Sequence, residues 1–242
     1  MTFTKITFKT LLHSSLLVLY MWTSVCISAS TDHWFYQAVI AWDNQKFDKA
    51  RILFTRSAQL GNAEACYNLG VIHQQGIAVR ANSSRATFWF KRAATLGSSK
   101  AQFILARLII AQRRKSNRDI RLATRWLFKA ANQKHPAAMY WLGTLYTMGQ
   151  GVKVSHAKAA YWYIKAARAG HATAQLHSAR LYNRGVGVKK NVITAYAWAK
   201  LATLQNANRA RENWIYIKKP MTVRQRQQGD LLAKHLANKQ GQ

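Results

Sequence analysis

The chain has 242 residues, 49% of them hydrophobic, and it sets 37 Lys and Arg against 7 Asp and Glu for a formal charge of +30. That apolar content excludes general disorder, and the length admits one sizeable domain or an array of small units sharing a core. So large a positive charge attracts polyanions of every kind, whether nucleic acid, anionic lipid or acidic polysaccharide, and it says nothing about fold.

The first thirty residues run from basic to apolar to small. "MTFTKITFKT" carries Lys5 and Lys9 and no acid, the stretch from "LLVLYMW" to "VCI" is apolar, and Ser28 and Ser30 precede Thr31. That order predicts a secretory signal peptide over residues 1–30, cleaved after Ser30. His13, Ser14 and Ser15 leave the apolar stretch short for a full membrane span, and an uncleaved anchor is the alternative. A lipoprotein signal fails at Cys26, because Val25 stands where a small residue is needed. Cleavage removes two cations and no acid, so 35 basic and 7 acidic residues remain, a net of +28. It also removes Cys26, which leaves Cys66 without a disulfide partner and best read as a buried small hydrophobe.

From residue 34 the chain repeats itself. "KARILFTRSAQLG" (49–61), "RATFWFKRAATLG" (85–97), "LATRWLFKAANQK" (122–134), "KAAYWYIKAARAG" (158–170) and "TAYAWAKLATLQN" (194–206) align Leu53, Trp89, Trp126, Trp162 and Trp198 at steps of 36, 37, 36 and 36. Ala50, Ala86, Ala123, Ala159 and Ala195 align at the same steps, so the Trp column reads as core. A second helical block precedes each of the last four copies and aligns Gly70, Ala106, Gly143 and Ala179. A tiny residue recurring inside a helix predicts close crossing by a neighbouring helix. Each repeat is therefore two helices, and the repeats lie near 34–61, 62–97, 98–134, 135–170 and 171–205 of an array over 31–205.

Glycine punctuates the plan: Gly61, Gly97 and Gly170 follow second helices, and Gly149, Gly151, Gly185 and Gly187 fall in turns after first helices. Pro136 opens a first helix, where its missing N–H costs nothing. Repeat 3 departs, with a turn "AQRRKSNRDIR" that has no glycine and gathers Arg113, Arg114, Lys115, Arg118 and Arg121. Residues 206–242 predict capping helices and a frayed tail, with Thr222 and Gln225 at capping-box spacing.

The stretch "AAMYWLGTLYTMGQGVKVSHAKAAYWYIKAARAG" (137–170) closely resembles a Sel1-like repeat, the longer-turned relative of the tetratricopeptide repeat. Ala138, Leu142, Gly143, Tyr146, Gly149, Gly151, Trp162, Ala166 and Gly170 are among the residues that carry it. The resemblance covers residues 34–205. It implies an all-α, right-handed α-solenoid of about five helix-turn-helix repeats, acting as a non-enzymatic scaffold for other proteins. In bacteria such exported proteins associate with the envelope, which here implies a periplasmic or secreted monomer.

No catalytic, metal or cofactor constellation stands out. The seven acids are scattered over different repeats, the histidines lack metal-ligand spacing, and His171 and His177, six apart, are expected on different helix faces. Arg56, Arg92, Lys129 and Lys165 form a ladder near second-helix C-termini, where cations complement the helix dipole. Analogy with tetratricopeptide helices places Gln74, Lys100, Phe103, Arg107, Tyr140, Leu176, Arg180, Asn183 and Arg184 toward the groove. Two partner classes follow. The leading one is an acidic or extended protein segment in the groove, with Arg107, Arg180 and Arg184 as charge contacts. The other is an anionic envelope polymer or membrane surface bound by the net charge. The signal segment and the core role of the aromatics disfavour nucleic acid.

Overall fold

The computed structural model describes residues 32–239 apart from Arg113 and Lys115. The signal segment predicted at 1–30, Cys26, and two cations of the basic turn therefore lie outside the described residues. Twelve α-helices and no strand occur among the described residues: α1 (32–43), α2 (Phe47–Gln59), α3 (Ala63–Gln75), α4 (Ser83–Thr95), α5 (Ser99–Ile110), α6 (Asn117–Asn132), α7 (Pro136–Met148), α8 (His156–Arg168), α9 (Ala172–Arg184), α10 (Val192–Leu204), α11 (Ala210–Lys218) and α12 (Val223–Asn238). They form two compact units, one ending at Ser98 and one beginning at Ser99.

In the first unit α3 packs against α2 and α4. A Cβ built at Gly70 would stand 2.5 Å from Phe90 Cε1, so the helix crossing that the small-residue column predicts is present and leaves no room for alanine. Phe54 and Phe90 are buried, and Phe54 meets Phe35 and Trp42 at ring distances of 5.9 and 6.4 Å. The Asn62 and Asn82 side chains cap α3 and α4 by accepting from the backbone N–H groups of Ala65 and Arg85. Cys66 is fully buried, and burial pushes its thiol pKa up, away from the reactive thiolate.

The second unit pairs α5 with α6, α7 with α8, and α9 with α10, and its terminal helices α11 and α12 both pack on α10. Gly143 repeats the device of Gly70, with a Cβ position 2.8 Å from the Tyr163 ring. Gly229 of α12 meets the Tyr196 ring in the same way, so the cap uses the joint of the repeats. The C-terminal capping box forms as its spacing predicts, between Thr222 and Gln225. The turn without glycine is also capped reciprocally, by Ser116 and Asp119, which starts α6 at Asn117 and makes it 16 residues long. Lys134 stands where three other repeats have Gly61, Gly97 and Gly170 and the last has Asn206, and takes φ of +61° despite its Cβ.

The position one residue after the Trp column is buried in every second helix. Phe54, Phe90, Leu127, Tyr163 and Ala199 are all buried, whereas Trp89 and Trp126 are only half-buried. The Trp column is thus core at Trp162 and Trp198 and rim at the two earlier tryptophans.

Candidate partner-binding surface

The rim rings explain the basic ladder. Arg92 lies 5.8 Å from the centroid of Trp89, Lys129 is 4.7 Å from Trp126, and Lys165 is 4.6 Å from Tyr161 and 5.5 Å from Trp162. These cations sit in the last turns of α4, α6 and α8, so each ladder member serves both the helix dipole and a neighbouring ring. In the first unit Arg56 likewise lies over Trp34 at 5.1 Å. The ladder is therefore engaged in structure.

The first helices carry the other cations. In the second unit Lys100 and Arg107 of α5 are exposed, Tyr140 of α7 is half-buried, and Arg180 and Asn183 of α9 are half-buried beside exposed Arg184. Arg107 leans over Phe103 at 5.9 Å. Among the described residues no carboxylate forms an ion pair with Arg107, Arg180 or Arg184. Arg114 and Arg118 are exposed around the α6 start, and Gln74 is exposed on α3 in the first unit. Leu176, expected in the groove, is instead buried with Ala202 and Ala210, because the terminal segment covers that end of α9.

Tyr140 sits in an imidazole and tyrosine stack. Its ring lies 4.7 Å from His171 at an interplanar angle of 12°, and 5.6 Å from His177, which stacks on Tyr163 at 4.7 Å and 11°. The expectation that His171 and His177 face apart is therefore wrong. His171 is the N-cap of α9, outside the helical periodicity, and its Nδ1 accepts from the Ala174 N–H at 3.2 Å. His135 caps α7 identically, accepting from Ala138 at 3.3 Å while stacking on Phe103 at 4.8 Å. Burial lowers the pKa of His135, His171 and His177, and Arg180 adds to the effect at His177. Neutral imidazole is what an acceptor at a helix N-terminus requires.

Asn183 and Arg184 end α9 on a different surface, a cleft they line with Lys190, Tyr216 and Lys219. The structure thus gathers Tyr140, the histidines and Arg180 in one region, and Asn183 with Arg184 in another. The histidine caps have a sequence signal that the column reading omits: Asn62, His135 and His171 share one column, at steps of 73 and 36, and each is an N-cap acceptor. Paired glutamines, Gln133 to Gln102 at 3.0 Å and Gln205 to Gln175 at 3.3 Å, join loops to first helices, and they too recur in register two repeats apart. Among the described residues no group of three metal-ligating side chains occurs, and no helix is long and apolar enough to cross a membrane.

The Sel1 repeat pattern matches residues 44–62, 63–98, 99–135, 136–171 and 172–206. None of the curated proteins is significantly similar in sequence. Among solved structures, the chain is similar to a protective antigen present in uropathogenic Escherichia coli strains and displaying an SLR fold, at 27% identity and a TM-score of 0.62. That match covers 86% of this chain and 53% of the other, so the chain spans about half its length. A Sel1 repeat protein from Oxalobacter formigenes shares the fold at 24% identity and a TM-score of 0.62, over 81% of this chain and 77% of that one. Sel1 repeats generally mediate interactions between proteins. With five repeats matched across most of its length, the chain belongs to the Sel1 repeat family, an all-α repeat solenoid of about five repeats.

Proposed function

We propose that the protein is an exported, non-enzymatic scaffold that binds an acidic or extended segment of a protein partner on the first-helix surface of residues 99–239. The observation that carries this reading is the division of the cations. The ladder cations Arg92, Lys129 and Lys165 pair with rings at helix ends, as Arg107 does over Phe103, whereas Arg180 lies off the helix end with no ring or carboxylate partner among the described residues. Charged hydrogen bonds from such guanidinium groups suit carboxylates. The test is capture of partners from native envelope extract by the wild type and by an Arg107→Ser/Arg180→Ser/Arg184→Ser variant. Unchanged capture by the variant would refute the assignment.

The net charge of +28 on the chain from Thr31 onward, 35 basic against 7 acidic residues, favours a second reading, in which the basic surface binds an anionic glycan or lipid headgroups. Retention on heparin and anionic liposomes across a salt series separates the two. Purely electrostatic retention collapses at high salt, and a groove complex persists in part. Export predicts a mature N-terminus at Thr31, and an intact Met1 on the purified protein would contradict it.

A further inference from the structure

We infer that the cleft between the end of α9 and the α11–α12 turn is a second contact site, taking the carboxylate side chains of an acidic peptide through Arg184, Lys190 and Lys219. The inference rests on the acidic-partner reading above and places a distinct anchor outside the first-helix positions Arg107 and Arg180.

The cleft is open to solvent and has a volume of about 760 Å³. Its three cations come from three segments that only the fold brings together: the last residue of α9, the turn before α10, and the residue that ends α11. No carboxylate lines it. Asp230 is held by Lys200 at 2.6 Å and Tyr196 at 3.0 Å, and Glu212 lines a separate cleft.

Helix stability accounts for only part of this arrangement. Arg184 and Lys219 stand at helix C-termini, where a cation is favourable. Lys190 immediately precedes Asn191, the N-cap of α10, and the first turn of α10 has no acid. A cation there opposes the helix dipole and adds to repulsion from Arg184 and Lys219. A bound anion relieves both.

The remaining lining favours a peptide over a uniformly charged polymer. Tyr216 is 70% exposed and, with Pro220, forms an apolar wall beside the Asn183 amide. A peptide supplies carboxylates, apolar side chains and backbone amides that match all three. A polyuronate also matches the cations and can lay a ring face on Tyr216 and a hydroxyl on Asn183, but it brings no aliphatic side chain to the Pro220 wall.

Fluorescence anisotropy with a fluorescein-labelled octapeptide of six Glu and two Leu, titrated with the full chain at about 150 mM salt, tests the site. Lys190→Ser/Lys219→Ser is expected to weaken binding about tenfold or more, and Tyr216→Ala about threefold. A control of equal charge change on exposed residues of the first unit, Arg80→Ser/Lys91→Ser, is expected to weaken it less than about twofold. Equal loss in the cleft and control variants overturns the site, as does tighter binding of a labelled oligouronate than of the peptide. If Arg107→Ser/Arg180→Ser weakens the peptide and the cleft pair does not, the groove reading stands and the cleft assignment falls. If neither pair weakens it, both fall.

Discussion

In residues 32–98 the first helix of a repeat begins under an asparagine, Asn62, whose side-chain oxygen accepts from Ala65. In residues 99–239 the equivalent starts lie under His135 and His171, whose ring nitrogens accept from Ala138 and Ala174. The amide cap is indifferent to pH, whereas the imidazole cap works only while the ring is neutral. What recurs at that position is an acceptor, and the residue supplying it changes how each unit answers to acid.

The largest expected effect probes what the units share. Gly70→Ala and Gly143→Ala each place a methyl against a ring, at 2.5 Å from Phe90 and 2.8 Å from Tyr163, and should each destabilise by about 2 kcal/mol in thermal unfolding. The second mutations should then differ. Phe90→Leu is expected to relieve Gly70→Ala in part. Tyr163→Leu should relieve Gly143→Ala less, because it also removes the hydroxyl contact with Thr144 and the stack on His177.

The acid response comes next. His135, His171 and His177 have pKa values lowered on folding, so their stabilisation is complete above the ordinary imidazole value of 6.5 and is lost as pH falls from there through the lowered values. His135→Asn/His171→Asn keeps both acceptors without the titration. The variant should be less stable than wild type at pH 8, having lost the stacks on Phe103 and Tyr140, but should lose about 1 kcal/mol less than wild type between pH 8 and pH 5 in chemical unfolding. An unchanged acid limb would show that the caps do not set it.

Asp230 titrates lower. Burial opposes its charge, but hydrogen bonds from Lys200 and Tyr196 and nearby Lys218 hold its pKa below the usual 3.8. Its contribution is present above that value and lost as pH falls through the lowered pKa, outside the histidine window. Asp230→Asn should loosen α12 from α10 at neutral pH, costing about 1 kcal/mol and raising amide exchange across α12. The smallest effect is a gain: Lys134→Gly should stabilise by about 0.5 kcal/mol, by relieving a left-handed backbone that three of its four repeat equivalents meet with glycine and the last with Asn206.

The repeat period placed the helix pairs because tiny residues and aromatics recur where helices cross, and Gly70 against Phe90 shows that cause directly. The same column reading misjudged depth. Trp89 and Trp126 are rim residues under cations, since the buried position is the one after them. Of the proposed binding surface, the exposure of Arg107 and Arg184 on first helices was legible from family spacing. The burial of Leu176 was not, because it depends on the terminal segment that lies outside the repeat pattern. The cleft was hidden for a similar reason, since Arg184, Lys190 and Lys219 are brought together only by the α11–α12 cap.

The central claim is that recognition lies on the first helices and the cap, while the ladder cations of the second helices are structural. Residue-resolved NMR of the protein titrated with an acidic peptide tests it most directly. The account predicts the largest amide shifts at Arg107, Arg180, Arg184 and Lys190, with Lys129 and Lys165 nearly unmoved. Shifts of equal size at Lys129 and Lys165 would contradict it.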